Sequence, residues 1–236
     1  MTDRLDPDRV RLTLRHVARY RLTTPEAVRT AAALRLPTNA SARAFLRRLV
    51  ADGWLGEAPL DCHGNYFYLT ERGAREVIAA TSGRHRSGPL SEPAKVRAFA
   101  VLAFCRLMGT NRERLSPDDL RRLVPALDTG GMPTTFYAER SGTGPTLGFM
   151  RVDVGGFGRW DRILATLSAD LRNFSADSAL RRLIANRAFE VTLVTVTEEK
   201  ALRIRTALAE TRATIPIHVV AIPRLLALTG TIRAPP

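Results

Sequence analysis

Apolar residues recur every three to four positions along much of this chain, and breaks in that recurrence mark separate elements. Val10, Leu14 and Val17 form one stripe and predict a first helix over Pro7–Tyr20. Thr24 is placed to cap a second helix that has Pro25 in its first turn and runs through the alanines to Ala33. Beyond Leu36-Pro37-Thr38, the residues Ala42, Phe45, Leu46, Leu49 and Val50 fall at i, i+3, i+4, i+7 and i+8. That spacing predicts a third helix from about Asn39 to Asp52, stopped by Gly53. Two β-prone runs, Trp54-Leu55 and 66–69, flank a polar stretch at 61–65 and predict a hairpin. A fourth helix opens at Thr70 and continues through Val77 and Ile78.

The stretch 81–93 is rich in Ser, Gly and Pro, lacks apolar periodicity, and is expected to be a linker between domains at 1–80 and 94–236. The second part opens on a helix over 93–108 that is apolar on nearly every side, so deep burial is expected. A short helix starts at Pro117 and passes through Leu120 and Leu123. Strands are expected at 134–139, 147–154, 189–196 and 217–222. Helices fall between them, one with Trp160, Ile163, Leu164, Leu167 and Leu171 on one face, others over 177–187 and 198–210. Such alternation predicts an α/β domain with a parallel crossover joining the last two strands, and an α+β chain overall.

Composition adds one fact to this picture. The chain of 236 residues has 36 basic and 23 acidic residues, a net charge of +13, which suits a polyanionic partner. Only Lys95 and Lys200 are lysines. Cys62, Cys105 and the four histidines show no metal-ligand spacing, so no metal or cofactor is expected. No apolar run reaches the ~20 residues of a membrane span and the N-terminus has no signal-peptide core, so a cytoplasmic protein with no membrane partner is expected.

Charge and periodicity meet on the third helix. In a helix-turn-helix the second helix of the motif enters the major groove and offers donors to base edges and phosphates. With Ala42, Phe45, Leu46 and Leu49 inward, the opposite face carries Ser41, Arg43, Ala44, Arg47 and Arg48, with Thr38 and Asn39 at its start. Arginine pairs with guanine O6 and N7, and asparagine with adenine. Thr24 and Arg29 on the preceding helix are candidate phosphate contacts. At the hairpin tip, His63 and Asn65 are the only donors, beside Asp61.

The runs LTTPEAV, LPTNASARAFLRRLVADGWL and YFYLTERG within 22–73 resemble the winged helix-turn-helix domains of bacterial regulators. The segments RVDVGGFGRWDRILATL (151–167) and FEVTLVTVTEEKALRIRTAL (189–208) resemble the replication-relaxation family of plasmid and mobile-element proteins. That resemblance implies a winged helix joined to an α/β domain like a degenerate restriction-endonuclease fold. It also implies double-stranded DNA as partner, and a role in plasmid replication, transfer or transcriptional control alongside proteins of those processes. A homodimer is expected from the logic of paired half-sites.

Cleavage is not expected. A nuclease of that fold needs two carboxylates on adjacent strands for a divalent metal, and a lysine two residues after the second. The candidates are Glu139 and Asp153, and Gly155 stands where the lysine would be. A metal-dependent nuclease and a protein-binding adaptor remain the alternatives. Gly155-Gly156-Phe157-Gly158 lacks dinucleotide-binding spacing and reads as a tight strand-to-helix turn.

Overall fold

A computed structural model of the chain describes residues 5–31, 34–60, 64–80, 86–109, 111–127, 135–141, 144–153, 160–211 and 213–229. The chain folds into two compact units, the first ending at Thr110 and the second starting at Asn111. Helices combine with one two-stranded and one five-stranded sheet, an α+β architecture overall. Among the described residues, no helix is long and apolar enough to cross a membrane.

In the first unit, α1 (Pro7–Tyr20) starts on Asp6, whose carboxylate accepts the Asp8 N–H at 3.0 Å. The helix α2 (Pro25–Thr30) is shorter than its alanine run predicts. Thr30 turns its hydroxyl back onto the Ala27 carbonyl at 2.7 Å, and Ala31 is already extended. The next helix, α3 (Asn39–Ala51), begins on a reciprocal cap between Thr38 and Ser41. It ends where expected: Gly53 takes φ +76°, and the N–H groups of Gly53 and Trp54 bond the carbonyls of Val50 and Leu49, both at 2.9 Å. This pair of bonds satisfies the last helical carbonyls and suits a glycine in the left-handed region.

Strands β1 (Leu55–Pro59) and β2 (Asn65–Leu69) form the antiparallel hairpin, with Leu55 opposite Leu69. Thr23 adds a single bridge on the far side of β2, exchanging two 2.9 Å backbone bonds with Phe67. Leu14, Val17, Val28, Ala42, Leu46, Leu49, Phe67 and Val77 belong to the core these elements share. The chain then enters α4 (Glu71–Ala80) through a tight junction with the end of α3. Thr70 donates its hydroxyl to the Gly53 carbonyl at 2.7 Å and its N–H to the Trp54 carbonyl at 3.2 Å. Arg72 donates to the Asp52 carbonyl at 2.6 Å and lies 4.0 Å from the Trp54 ring centre.

The division between the units differs from the expected linker. Helix α5 (Glu92–Leu102) continues as a π-helical turn over 103–107 and belongs to the first unit. The Met108 N–H bonds the Ala103 carbonyl, five residues back, at 3.0 Å. Arg106 reaches the Thr30 carbonyl at 3.4 Å. Of the expected linker, 81–85 lies outside the described residues, and the segment between there and α5 is tied to β2. The Gly88 N–H bonds the Leu69 carbonyl and the Leu90 N–H bonds the Tyr66 hydroxyl, each at 2.9 Å. Deep burial of the fifth helix holds, with Phe99, Ala100 and Leu102 at 0% exposure.

The second unit contains β3 (Arg112–Arg114), α6 (Pro117–Leu123), β4 (Phe136–Ser141), β5 (Gly144–Val152), α7 (Trp160–Ala176) and α8 (Ser178–Ala185). It continues with β6 (Phe189–Thr195), α9 (Glu198–Ala209), β7 (Ile217–Ala221) and α10 (Arg224–Thr229). The sheet runs β3-β4-β5-β6-β7, with antiparallel pairing up to β5 and parallel pairing from β5 to β7. The expected crossover between the last two strands is therefore present. Strand β3, only Arg-Glu-Arg, and the short α10 have no predicted counterpart. Four rings fill one face of the sheet, Phe174 lying 4.9 Å from Phe149 and 5.4 Å from Phe189, and Phe136 5.4 Å from Phe149. At the edge, Pro216 and Ile222 bond toward β6, so alternation turns the Val219 carbonyl outward. Arg205 donates to that carbonyl at 2.8 Å.

This packing makes two outcomes measurable. Alanine normally stabilises a helix relative to glycine by about 1 kcal/mol, yet a Cβ at Gly73 would sit 2.2 Å from the Trp54 carbonyl oxygen. Gly73→Ala should therefore lower stability by about 1–3 kcal/mol in urea titrations. The second concerns His16, partly buried and 2.9 Å from the Thr23 hydroxyl. Burial, helped by Arg106 and Arg19, pushes its pKa down to about 3. The folded state keeps this ring neutral while the unfolded chain protonates it below about 6.5. Stability should fall as pH drops from 6.5 toward 4.5, with a slope approaching about 1.4 kcal/mol per pH unit. His16→Gln should flatten that limb, and an unchanged slope would remove the ring as its cause.

Candidate nucleic-acid interface

Helix α3 buries Ala42, Leu46 and Leu49 fully, and partly covers Phe45, Arg48 and Val50. The opposite stripe is Ala40, Arg43, Ala44, Arg47 and Ala51, all exposed. Two guanidinium groups thus rise from a bed of methyl groups, with no carboxylate anywhere in the helix. Small side chains let a helix axis come close to a groove floor, and a methyl group suits the thymine C5-methyl. Arg43 makes no hydrogen bond or ion pair among the described residues.

The other expected contacts divide sharply. Thr38 accepts the Ser41 N–H at 3.1 Å, and Ser41 returns its hydroxyl to the Thr38 carbonyl at 2.8 Å. Both side chains therefore organise the first turn of α3. Thr24 does the same for α2, accepting from the Ala27 N–H at 3.3 Å while 6% exposed, so its hydroxyl is turned into the fold. Arg29 donates to the Asn39 Oδ1 at 3.0 Å. Reading adenine requires both the oxygen and the amide nitrogen of asparagine, so this bond occupies half of what Asn39 would need. Asn65 donates to Glu57 at 2.6 Å, and His63 lies outside the described residues. Glu57 also approaches Arg47 to 3.9 Å. Sequence reasoning overlooked Glu57, because only the pairing of β1 with β2 places it opposite Phe67 and beside the helix.

In the second unit the two carboxylates proposed as metal ligands are separated. Glu139 stands across from Thr146, and Asp153 is seven residues further along the same strand direction. At about 3.3 Å per residue that is roughly 23 Å, and alternation puts the two on opposite faces. Glu139 pairs instead with Arg112 at 2.9 Å. Asp153 forms an ion pair with Lys200, the third residue of α9, and both side chains are nearly buried. The pair sits where the parallel strands β5 and β6 end, the Asp153 N–H bonding the Val194 carbonyl at 2.8 Å. The scarcity of lysine was the one available signal: this is one of two in a chain otherwise charged by arginine.

On the opposite face of the sheet, Tyr137 donates to Glu190 at 2.6 Å and touches Thr192 at 2.7 Å, while His218 meets Glu190 at 3.2 Å. The Tyr137 ring lies across Gly148, where a Cβ would come within 2.0 Å of it. The hydrogen bond from His218 and that from Tyr137 outweigh burial and hold Glu190 below its ordinary pKa; the same bond to Glu190 raises that of His218. No cluster of three or more metal-ligating side chains occurs among the described residues. Compared with known proteins, the chain matches no protein-family model and no curated protein.

Breaking a buried ion pair from one side leaves the other charge uncompensated. Lys200→Met and Asp153→Asn should each destabilise the second unit by about 3–5 kcal/mol, and the double variant should cost less than their sum. Additive losses in urea unfolding would show that the pair is not coupled.

Proposed function

We propose that the protein binds double-stranded DNA through its first unit, acting as a winged helix-turn-helix with α3 in the major groove. The observation that carries this reading is the outer stripe of α3, Arg43 and Arg47 among alanines with no carboxylate in the helix. Three features support it further. A preceding helix abuts the start of α3 through the Arg29–Asn39 bond. A hairpin comes after it, extended by the Thr23 bridge. The caps at both ends of α3 are complete, so the reading face is held by local structure.

Arg43 and Arg47 are the base readers, Arg29 contributes to phosphate contact, and the hairpin plays a minor part. The protein acts in the cytoplasm as a regulator or as a factor in replication or transfer of a mobile element, as the replication-relaxation resemblance implies. Its second unit binds and organises without cutting. The separation of Glu139 from Asp153 supports that assignment, because no single divalent ion bridges roughly 23 Å.

The test is binding to native upstream DNA and to random duplex across a range of salt. Arg43→Ala and Arg47→Ala should each cost about 1–3 kcal/mol on the preferred site and much less on random DNA. Unchanged affinity in the double variant would favour the adaptor reading.

A further inference from the structure

Among the described helices of eight or more residues, only α3 and α8 contain no Asp or Glu. The contrast with other helices of the chain is direct. Outward arginines of α1, α6 and α9 stand three or four residues from a carboxylate that holds them: Arg9 with Asp6 and Arg11 with Asp8 at 3.8 Å, Arg121 with Asp118 at 2.5 Å, Arg203 with Glu199 at 2.7 Å. On α8 the buried side is Ala179 and Leu180, and the exposed stripe is Ser178, Arg181, Arg182 and Ala185. This repeats the arginine-and-small-residue pattern of α3. The nearest acidic residue in sequence, Asp177, is engaged in capping, accepting the Ala179 and Leu180 N–H groups at 2.9 Å.

Two further arginines converge on the same end of the sheet. Arg140 on β4 is paired across from Pro145. Leu147 is paired with Phe189, where β6 begins, and Arg187 precedes that strand by two residues in a left-handed turn just past α8. Both arginines thus lie at the end of the sheet where β5 and β6 start, and both are exposed. The second unit has 18 basic and 13 acidic residues, an excess of +5, and these four arginines lie at one end of it.

From this we infer a second DNA-binding surface, made by Arg140, Arg181, Arg182 and Arg187, that grips the phosphate backbone of a duplex without reading bases. The inference rests on the reading of the protein as a DNA binder and extends it to the second unit. None of these four arginines forms an ion pair among the described residues, Arg181 donating only to the Ala176 carbonyl at 3.5 Å, so their charge is offered to phosphate. Four such contacts release counterions and steepen the salt dependence of binding by about 0.9 per phosphate.

The experiment uses the full chain and four variants: all four arginines to Gln, the same four to Lys, a control with the ion-paired Arg9, Arg11, Arg121 and Arg203 to Gln, and the Arg43→Ala/Arg47→Ala double. Binding to native and random duplex is measured against salt, with thermal melting to confirm the fold. The Gln variant should flatten the slope of log K against log salt by about 3 to 4, with the same fold loss on both duplexes. The Lys variant should keep the slope, and the control should change it little. A wild-type slope in the Gln variant, or equal flattening in the control, overturns the inference. If only the Arg43/Arg47 variant then loses preference, the first unit's role stands without the second surface. If only the four-arginine variant loses binding, the second surface stands and the role of α3 falls.

Discussion

Four residues, Asp52 to Leu55, turn the chain from α3 into the hairpin, and the contacts around them set the direction of everything the first unit displays. Gly53 permits the left-handed turn, and the Trp54 carbonyl receives both the backbone and the side chain of Thr70. Arg72 closes over the indole, and Gly73 lies so close to the Trp54 carbonyl that no side chain fits. The C-terminus of α3, the start of β1, the end of β2 and the start of α4 are therefore fastened at one point. A small rotation there would swing Arg43 and Arg47 through several ångströms. This explains why a glycine that weakens α4 by propensity occupies that position.

The N-terminal side of α3 is held more lightly, by a Thr38–Ser41 cap and by Arg29 on Asn39. Side chains that read in the sequence as donors facing DNA turn out to be bonded to neighbours in the protein. Their chemistry is the same in either role: a hydroxyl that could meet phosphate is equally able to close a helix end. The distinction lies in geometry, which leaves Arg43 and Arg47 exposed on the outer face of α3, Arg47 within 3.9 Å of Glu57.

Much of the architecture is legible in local patterns. The limits of α1 and α3 are set by Asp6, Thr38 and Gly53, because caps act within four residues of where they stand. The interior of α5 is legible as apolar on all sides, but its neighbours are not, and it packs with the first unit where the sequence suggested the second. The Lys200–Asp153 pair spans a crossover and two helices, so no spacing rule finds it. The separation of Glu139 from Asp153 is hidden for the same reason, since both are simply carboxylates near strands until register and face are known. Tyr137, Glu190 and His218 come from three strands and meet only when the sheet is assembled.

The bond from Arg205 to the Val219 carbonyl bears on how two copies of the chain can associate. Strand β7 has no strand beyond it among the described residues, and an outer strand offers its free carbonyls to any chain that drifts alongside. Here a cation from the preceding helix occupies one of those carbonyls midway along the strand. A second sheet joining edge to edge would have to displace a guanidinium and accept its charge in the seam. Self-association by edge-to-edge pairing of two β7 strands is thereby disfavoured.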